Sequence, residues 1–231
     1  GLMSSMHLLG RTKILHIYGP PELQGLIDLN LKVSQSYLRY KYEFHPTQAE
    51  NPELIYEDST ILIHSLPLNH RIPTTGFIFV EKLKKNRIIK TKIDEHKLGV
   101  EEILYLKNGN DVFREGEKTI YSKNCTLAPF PPRKFVFMSD TAPLTEGLEL
   151  IENADLLYHE STFLNDQIDR AKHTFHSTAE QAALVAKNGN VNRLCLGHFS
   201  NRYKELSSFL DEARPHFKNC ILASDGLNIR I

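Results

Sequence analysis

The chain has 231 residues, with 28 basic side chains against 28 acidic ones and no formal net charge when histidine is neutral. That length supplies one sizeable core, and the balance excludes a uniformly cationic nucleic-acid coat, so an RNA partner would have to meet a local basic groove. No apolar run reaches the length of a membrane span and no secretory signal is visible. The three cysteines (Cys125, Cys195, Cys220) are odd in number and widely spaced, as reduced core residues of a cytoplasmic protein are.

Residues 1–9 place Leu2, Met3, Met6 and Leu9 on neighbouring helical positions, a stripe expected in the core. A strand is expected over 14–18. Gly19, Pro20 and Pro21 then turn the chain into a helix whose apolar face is Leu23, Leu26, Ile27 and Leu31. From 42 to 68, three extended runs (YEF, ELIYE and TILIHSL) alternate with polar breakers, as in a sheet meander. His64 reads as a structural histidine within the last run, and His45, before Pro46, has no motif around it. His70 precedes the Pro73 turn and Gly76, at a corner of fixed geometry. Residues 82–97 carry Lys82, Lys84, Lys85, Arg87, Lys90, Lys92 and Lys97 against only Asp94 and Glu95. By composition alone, that stretch is a solvated hairpin.

The second half repeats one pattern. Four short apolar runs end abruptly in residues that bind metals or move protons: 135–138 before Ser139 and Asp140, 156–158 before His159 and Glu160, 194–196 before Gly197 and His198, and 221–223 before Ser224 and Asp225. In layered α/β folds, ligands bind beyond the carboxyl ends of strands, so these residues are expected to converge on one rim. Ser177 with Glu180 forms a capping-box pattern ahead of Ala182, Ala183, Leu184, Val185 and Ala186, which places His176 in the loop at the helix's positive end. Asp225 reads equally as a turn residue before Gly226 or as an acceptor for a ligand histidine. The expected architecture is mixed α/β, with two sheets sandwiched by helices.

The segments SDT, HESTF, HSTAEQAA and LGHFSNRY, together with NHRIPTTGFIF over 69–79, resemble the ribonuclease Z family. The resemblance covers most of the chain and is weakest over 82–125. It implies a metallo-β-lactamase-like αββα sandwich in one domain over residues 1–231. It also implies a zinc-dependent endoribonuclease that trims the 3′ trailer of precursor tRNA. His70, Asp140 and His198 are then the metal ligands, with Asp140 bridging two zinc ions. His176 is the proton donor to the leaving oxygen and Glu160 its orienting carboxylate. Arg202 and Tyr203 match the family's substrate-side residues, while 82–125 occupies the place of an inserted arm, with Lys84, Lys85 and Arg87 as phosphate contacts. The segment 1–9 matches a homodimer contact.

The family's HxHxDH motif is absent from these 231 residues. Residues 1–23 resemble the segment that follows it, so the sequence is expected to be incomplete at its N-terminus and inactive by itself. His7 and His16 have neither the spacing nor the aspartate to replace the motif. The chemistry suits the residues. Two divalent metals roughly 3.5–4 Å apart lower the pKa of a shared water and clamp phosphate oxygens, and a carboxylate is the natural bridge between them. Two other readings compete with this one: a hydrolase of the same fold acting on a small phosphodiester or ester, and a metal-free domain binding RNA or a partner.

Overall fold

The structure is a computed structural model describing residues 1–231. The chain divides into two compact units: residues 1–58, 62–80 and 133–231 form the larger, and 59–61 with 81–132 the smaller.

In chain order, the larger unit begins with α1 (Leu2–Leu8), β1 (Leu15–Gly19), α2 (Glu22–Val33) and β2 (Tyr42–Pro46). The strands β1 and β2 pair in parallel as a separate two-stranded sheet, with His16 opposite Glu43 and Tyr18 opposite His45. The expected meander over 42–68 is therefore broken. Its first run crosses over α2 to pair with β1, and only the later runs, β3 (Leu54–Glu57) and β4 (Ile61–Leu68), join as antiparallel neighbours. The stripe expected in the core over 1–9 is also not there. α1 buries no residue, and Leu2, Leu8 and Leu9 are exposed, as are Leu26, Leu29 and Val33 of α2.

β5 (Thr74–Glu81) follows and leads into the smaller unit, which holds β6 (Arg87–Ile88), α3 (Lys90–Glu95), α4 (Val100–Lys107), α5 (Ser122–Cys125) and β7 (Thr126–Leu127). The expected hairpin over 82–97 is a two-residue strand and a helix instead, with β6 pairing antiparallel to β7. Leu98, Leu106, Val112, Ile120 and Cys125 form this unit's own core. Arg114 pins it. The guanidinium donates to both oxygens of Glu102 at 2.7 Å and to the His96 carbonyl at 3.0 Å, while Glu102 accepts from the Gly99 N–H at the start of α4.

The chain returns to the larger unit through β8 (Lys134–Met138), β9 (Leu156–Glu160), α6 (Ile168–Thr174), α7 (Ala179–Asn188), β10 (Leu194–Gly197), α8 (Ser207–Ala213) and β11 (Cys220–Leu222). The main sheet runs β11-β10-β9-β8-β5-β4-β3. Its β8 to β11 half is parallel, and β5 lies antiparallel to β8. Parallel strands covered by helices are buried on both faces, which is why 194–197 is apolar without alternation and wholly buried. Ala182, Ala183, Val185 and Ala186 of α7 pack with Leu157, Leu194, Leu196 and Phe209 in one core cluster. All three cysteines are free and buried, as the sequence led one to expect.

α7 starts one residue later than its capping pattern suggests. Thr178 is the N-cap, its hydroxyl accepting from the Gln181 N–H while Gln181 accepts in return from the Thr178 N–H. Ser177, the expected cap, instead donates to the Thr141 carbonyl at 2.8 Å and so ties the helix start to the loop after β8.

Candidate active site

Three parallel strands end side by side, and their ends carry the site. Phe137 stands level with Tyr158, and Gly197 with Glu160. Alternation along β9 then separates two neighbours that the sequence treats together. His159 and Glu160 face opposite sides of the sheet. His159 is fully buried and bonded through Nδ1 to the Glu160 carbonyl, and burial holds its pKa below the ordinary value. Glu160 turns to the rim.

Asp140 and His198, just past β8 and β10, both adopt left-handed backbone, with φ of 56° and 58°. Phe175, which closes α6 directly before His176, has φ 58° as well. Positive φ is unfavourable for non-glycine residues, aspartate being the more tolerant, and it clusters where surrounding structure imposes a geometry on a site. Here each such turn reverses the chain at an element's end and swings a side chain onto the rim. Gly197 shows how closely these loops approach: a Cβ there would fall 2.2 Å from the Tyr158 hydroxyl.

Glu160 is the organising centre. It is fully buried and accepts five hydrogen bonds. Oε1 takes the Thr141 N–H at 2.9 Å and His176 Nδ1 at 2.6 Å. Oε2 takes the Thr162 N–H at 3.0 Å, the Thr162 hydroxyl at 2.7 Å and the Ser177 N–H at 3.2 Å. Burial alone would raise its pKa, but the bonds from His176 and Thr162 outweigh it, and the carboxyl is held below its ordinary value. The same bond raises His176 above the ordinary histidine value against a smaller opposing effect of partial burial. Both shifts favour the charged forms, imidazolium on carboxylate.

Proton direction can be followed one step further. The Thr162 hydroxyl has one proton and donates it to Glu160. It must therefore accept from His198 Nδ1, 2.9 Å away. His198 Nε2 then faces Asp140 Oδ1 at 3.2 Å, a spacing that a proton or a metal ion would bridge. His70 is held in the same sense. Its Nδ1 donates to the Phe175 carbonyl at 3.0 Å, leaving Nε2 free. Asn69, beside it, bonds to the Asp140 loop through the Thr141 hydroxyl at 3.1 Å and the Ala142 N–H at 2.8 Å. Histidines with one ring nitrogen tied to a protein partner and the other turned toward the site are arranged as metal ligands are.

The ring of His176 lies 5.2 Å from that of His70 and 5.5 Å from that of His198. The donor atoms of His70, Asp140 and His176 fall within 4.8 Å of one another, as do those of Glu160, His176 and His198. Both clusters include His176; the donor types of His70, Asp140 and His198, two imidazoles and a carboxylate with His198 3.2 Å from Asp140, suit a metal of zinc's class.

Of the residues singled out in the sequence, His70, Asp140, Glu160, His176 and His198 are brought together. Tyr203 has partners of its own. Its hydroxyl accepts from the Leu164 N–H and donates to Asp166, both at 3.1 Å, and its ring packs edge-on against Phe209. Arg202 is exposed, and so is Asp225, in its turn before Gly226. In the smaller unit, Lys84 pairs with Glu81 at 3.1 Å. Arg87 donates to the Ala128 carbonyl and lies 4.0 Å over the Phe130 ring, and Lys85 is exposed. Thr162 is the functional residue that sequence reasoning did not assign, although it stands two places after Glu160 within HESTF.

Strand ends that gather histidines and an aspartate on one rim of a helix-covered sheet define a metal-dependent hydrolase of the metallo-β-lactamase fold. The metallo-β-lactamase-fold protein YhfI from Bacillus subtilis shares this fold, with a TM-score of 0.57 over 98% of this chain and 68% of that one, at 17% identity. The chain belongs to the ribonuclease Z family, a group of hydrolytic endoribonucleases. It is 40% identical over its whole length to a ribonuclease Z of Bacteroides fragilis, covering 76% of that protein. The short form of human tRNase Z superposes with a TM-score of 0.66 at 27% identity, covering 100% of this chain and 72% of that one. No family model matches the chain.

Proposed function

We propose that this protein is a zinc-dependent endoribonuclease that removes the 3′ trailer from precursor tRNA by phosphodiester hydrolysis. His70, Asp140 and His198 would hold the metal. Bound zinc supplies a water of lowered pKa and positive charge against the phosphate oxygens. The chain's own residues supply the proton. His176, with Nδ1 committed to Glu160, has Nε2 left to protonate the departing 3′ oxygen, and Glu160 both orients the ring and favours its charged form.

The single observation carrying this reading is that buried Glu160–His176 pair beside His70, Asp140 and His198. A small-ester hydrolase of the same fold has no need of the pair. A metal-free binding domain has no need of two further imidazoles and an aspartate on the same rim. Replacing His176 with Ala in the metal-loaded enzyme should slow cleavage by about 10²–10⁴-fold while metal content stays unchanged. Metal lost in parallel with activity would move His176 into the ligand set and sink the assignment.

The remaining roles follow the same reading. Lys84, Lys85 and Arg87 contact tRNA phosphates from an arm within 82–125, and Arg202 and Tyr203 meet substrate on the loop after β10. Two copies associate through the exposed apolar side chains of α1 and α2, in the cytoplasm. No helix is long and apolar enough to cross a membrane.

A further inference from the structure

The β1–β2 sheet carries a second group of metal-binding side chains, on elements that the candidate active site does not use. Because β1 and β2 pair in parallel with His16 opposite Glu43 and Tyr18 opposite His45, alternation puts all four side chains on one face. His16 Nδ1 lies 3.0 Å from His45 Nε2 and 3.4 Å from Glu43 Oε2. The three donor groups fall within 4.8 Å of one another. We infer that His16, Glu43 and His45 form a surface site for one divalent transition-metal ion of zinc's class.

Three features carry the inference. Donors around a tetrahedral ion with bonds of about 2.0–2.1 Å stand roughly 3.3 Å apart, close to the two spacings found here. The donor set, two imidazoles and one carboxylate, suits zinc, cobalt, nickel or copper and not the oxygen-demanding magnesium or calcium. The site is also preformed. The ladder fixes the backbone, Tyr18 stacks on His45 at 4.5 Å with an interplanar angle of 14°, and Tyr56 meets Tyr18 edge-on. Without an ion, the facing nitrogens of His16 and His45 share a single proton. An ion takes that proton's place, and the ring that carried it takes the proton up on its other nitrogen. His16 and Glu43 side chains are about half exposed (45% and 52%), which leaves the remaining coordination positions to water.

The test is zinc titration of the intact protein against a chromophoric chelator, counting equivalents bound. The wild type should take up one equivalent more than a His16→Ala/His45→Ala variant. Glu43→Gln, which keeps both rings and the side chain's shape, should weaken that equivalent by at least about 100-fold, since even outer-shell changes cost 10–100-fold. Asp140→Asn should leave this equivalent in place while disturbing the other centre, and excess magnesium should not displace it. Precursor-tRNA cleavage by the Glu43→Gln variant should match the wild type. Equal zinc uptake by wild type and Glu43→Gln, or displacement by magnesium, would overturn the assignment. If the double variant fails to fold by circular dichroism, Glu43→Gln decides alone.

Discussion

Glu160 and Glu102 are both carboxylates paired with a cationic side chain, and they differ in almost everything else. Glu160 is fully buried, takes five hydrogen bonds, and has as its partner a histidine that can lose its charge. Glu102, about a quarter exposed, is gripped at both oxygens by an arginine that cannot. A buried charge survives only where every lone pair is satisfied, and then it is rigid and sensitive to any change. A partly exposed pair is screened by water and contributes less. The first pair therefore serves chemistry, and the second holds two segments of the smaller unit in place.

The comparison can be tested from its strong end. Glu160→Gln sets an amide NH2 against groups that are all donors, and breaking a buried pair this way should cost about 3–5 kcal/mol in denaturant unfolding. In the fraction that remains folded, cleavage should fall by about 10²–10⁴-fold, because His176 loses its orienting partner. The pH profile reports the same bond. A general acid acts while protonated, so with His176 raised above 6.5 the wild-type rate should hold at pH 6.5 and decline only at higher pH. In Glu160→Gln that decline should move to lower pH. An unmoved decline would mean that the limb belongs to another group.

A smaller loss is expected at Gly197. An added methyl group must push Tyr158 or the His198 turn aside, so Gly197→Ala should destabilise by about 1–3 kcal/mol, the usual cost of overpacking. Metal content should fall with it if His198 is a ligand. An unchanged melting temperature with full metal content would show that the loop yields freely.

Milder still is the expected effect in the basic stretch. Neutralising Lys84, Lys85 and Arg87 should weaken precursor-tRNA binding and lower the salt-dependence slope by up to about 0.9 for each phosphate no longer neutralised. Hydrolysis of a small chromogenic phosphodiester should be unaffected. Lys85 should matter most, since Lys84 and Arg87 have internal partners. Reductions of equal size on both substrates would point to misfolding.

The smallest change should come from Glu102→Gln, and its pH dependence has a definite sign. Bonds from Arg114 and Gly99 hold the Glu102 carboxyl down to about 2 in the folded chain, against an ordinary 4.5. A depressed pKa stabilises above the unfolded value, so the contribution is complete above about pH 4.5 and fades as pH falls toward 2. Wild type and variant should therefore differ slightly at pH 7 and converge on acidification. A difference that grows in acid would contradict the pairing.

Much of the site was legible in the sequence because strand ends and helix caps are local events. An apolar run of three or four residues that ends abruptly in a polar one marks a strand terminus wherever it occurs, and three of the four such endings pointed to Asp140, Glu160 and His198, while the fourth led to the exposed turn at Asp225. The helix over 179–188 followed from its composition in the same way, although Thr178 rather than Ser177 caps it because Ser177 has a tertiary partner in the Thr141 carbonyl. Tertiary structure alone decided the rest. Whether residues 42–46 join the later strands or cross back to β1 depends on pairing between strands far apart in the chain, which no local pattern records. That long-range register brings His16, Glu43 and His45 together. Strand alternation set His159 and Glu160 on opposite faces, and the single proton of Thr162 settled that His198 Nδ1 donates to it, since hydrogen-bond direction becomes defined only when donors and acceptors from separate loops meet in one place.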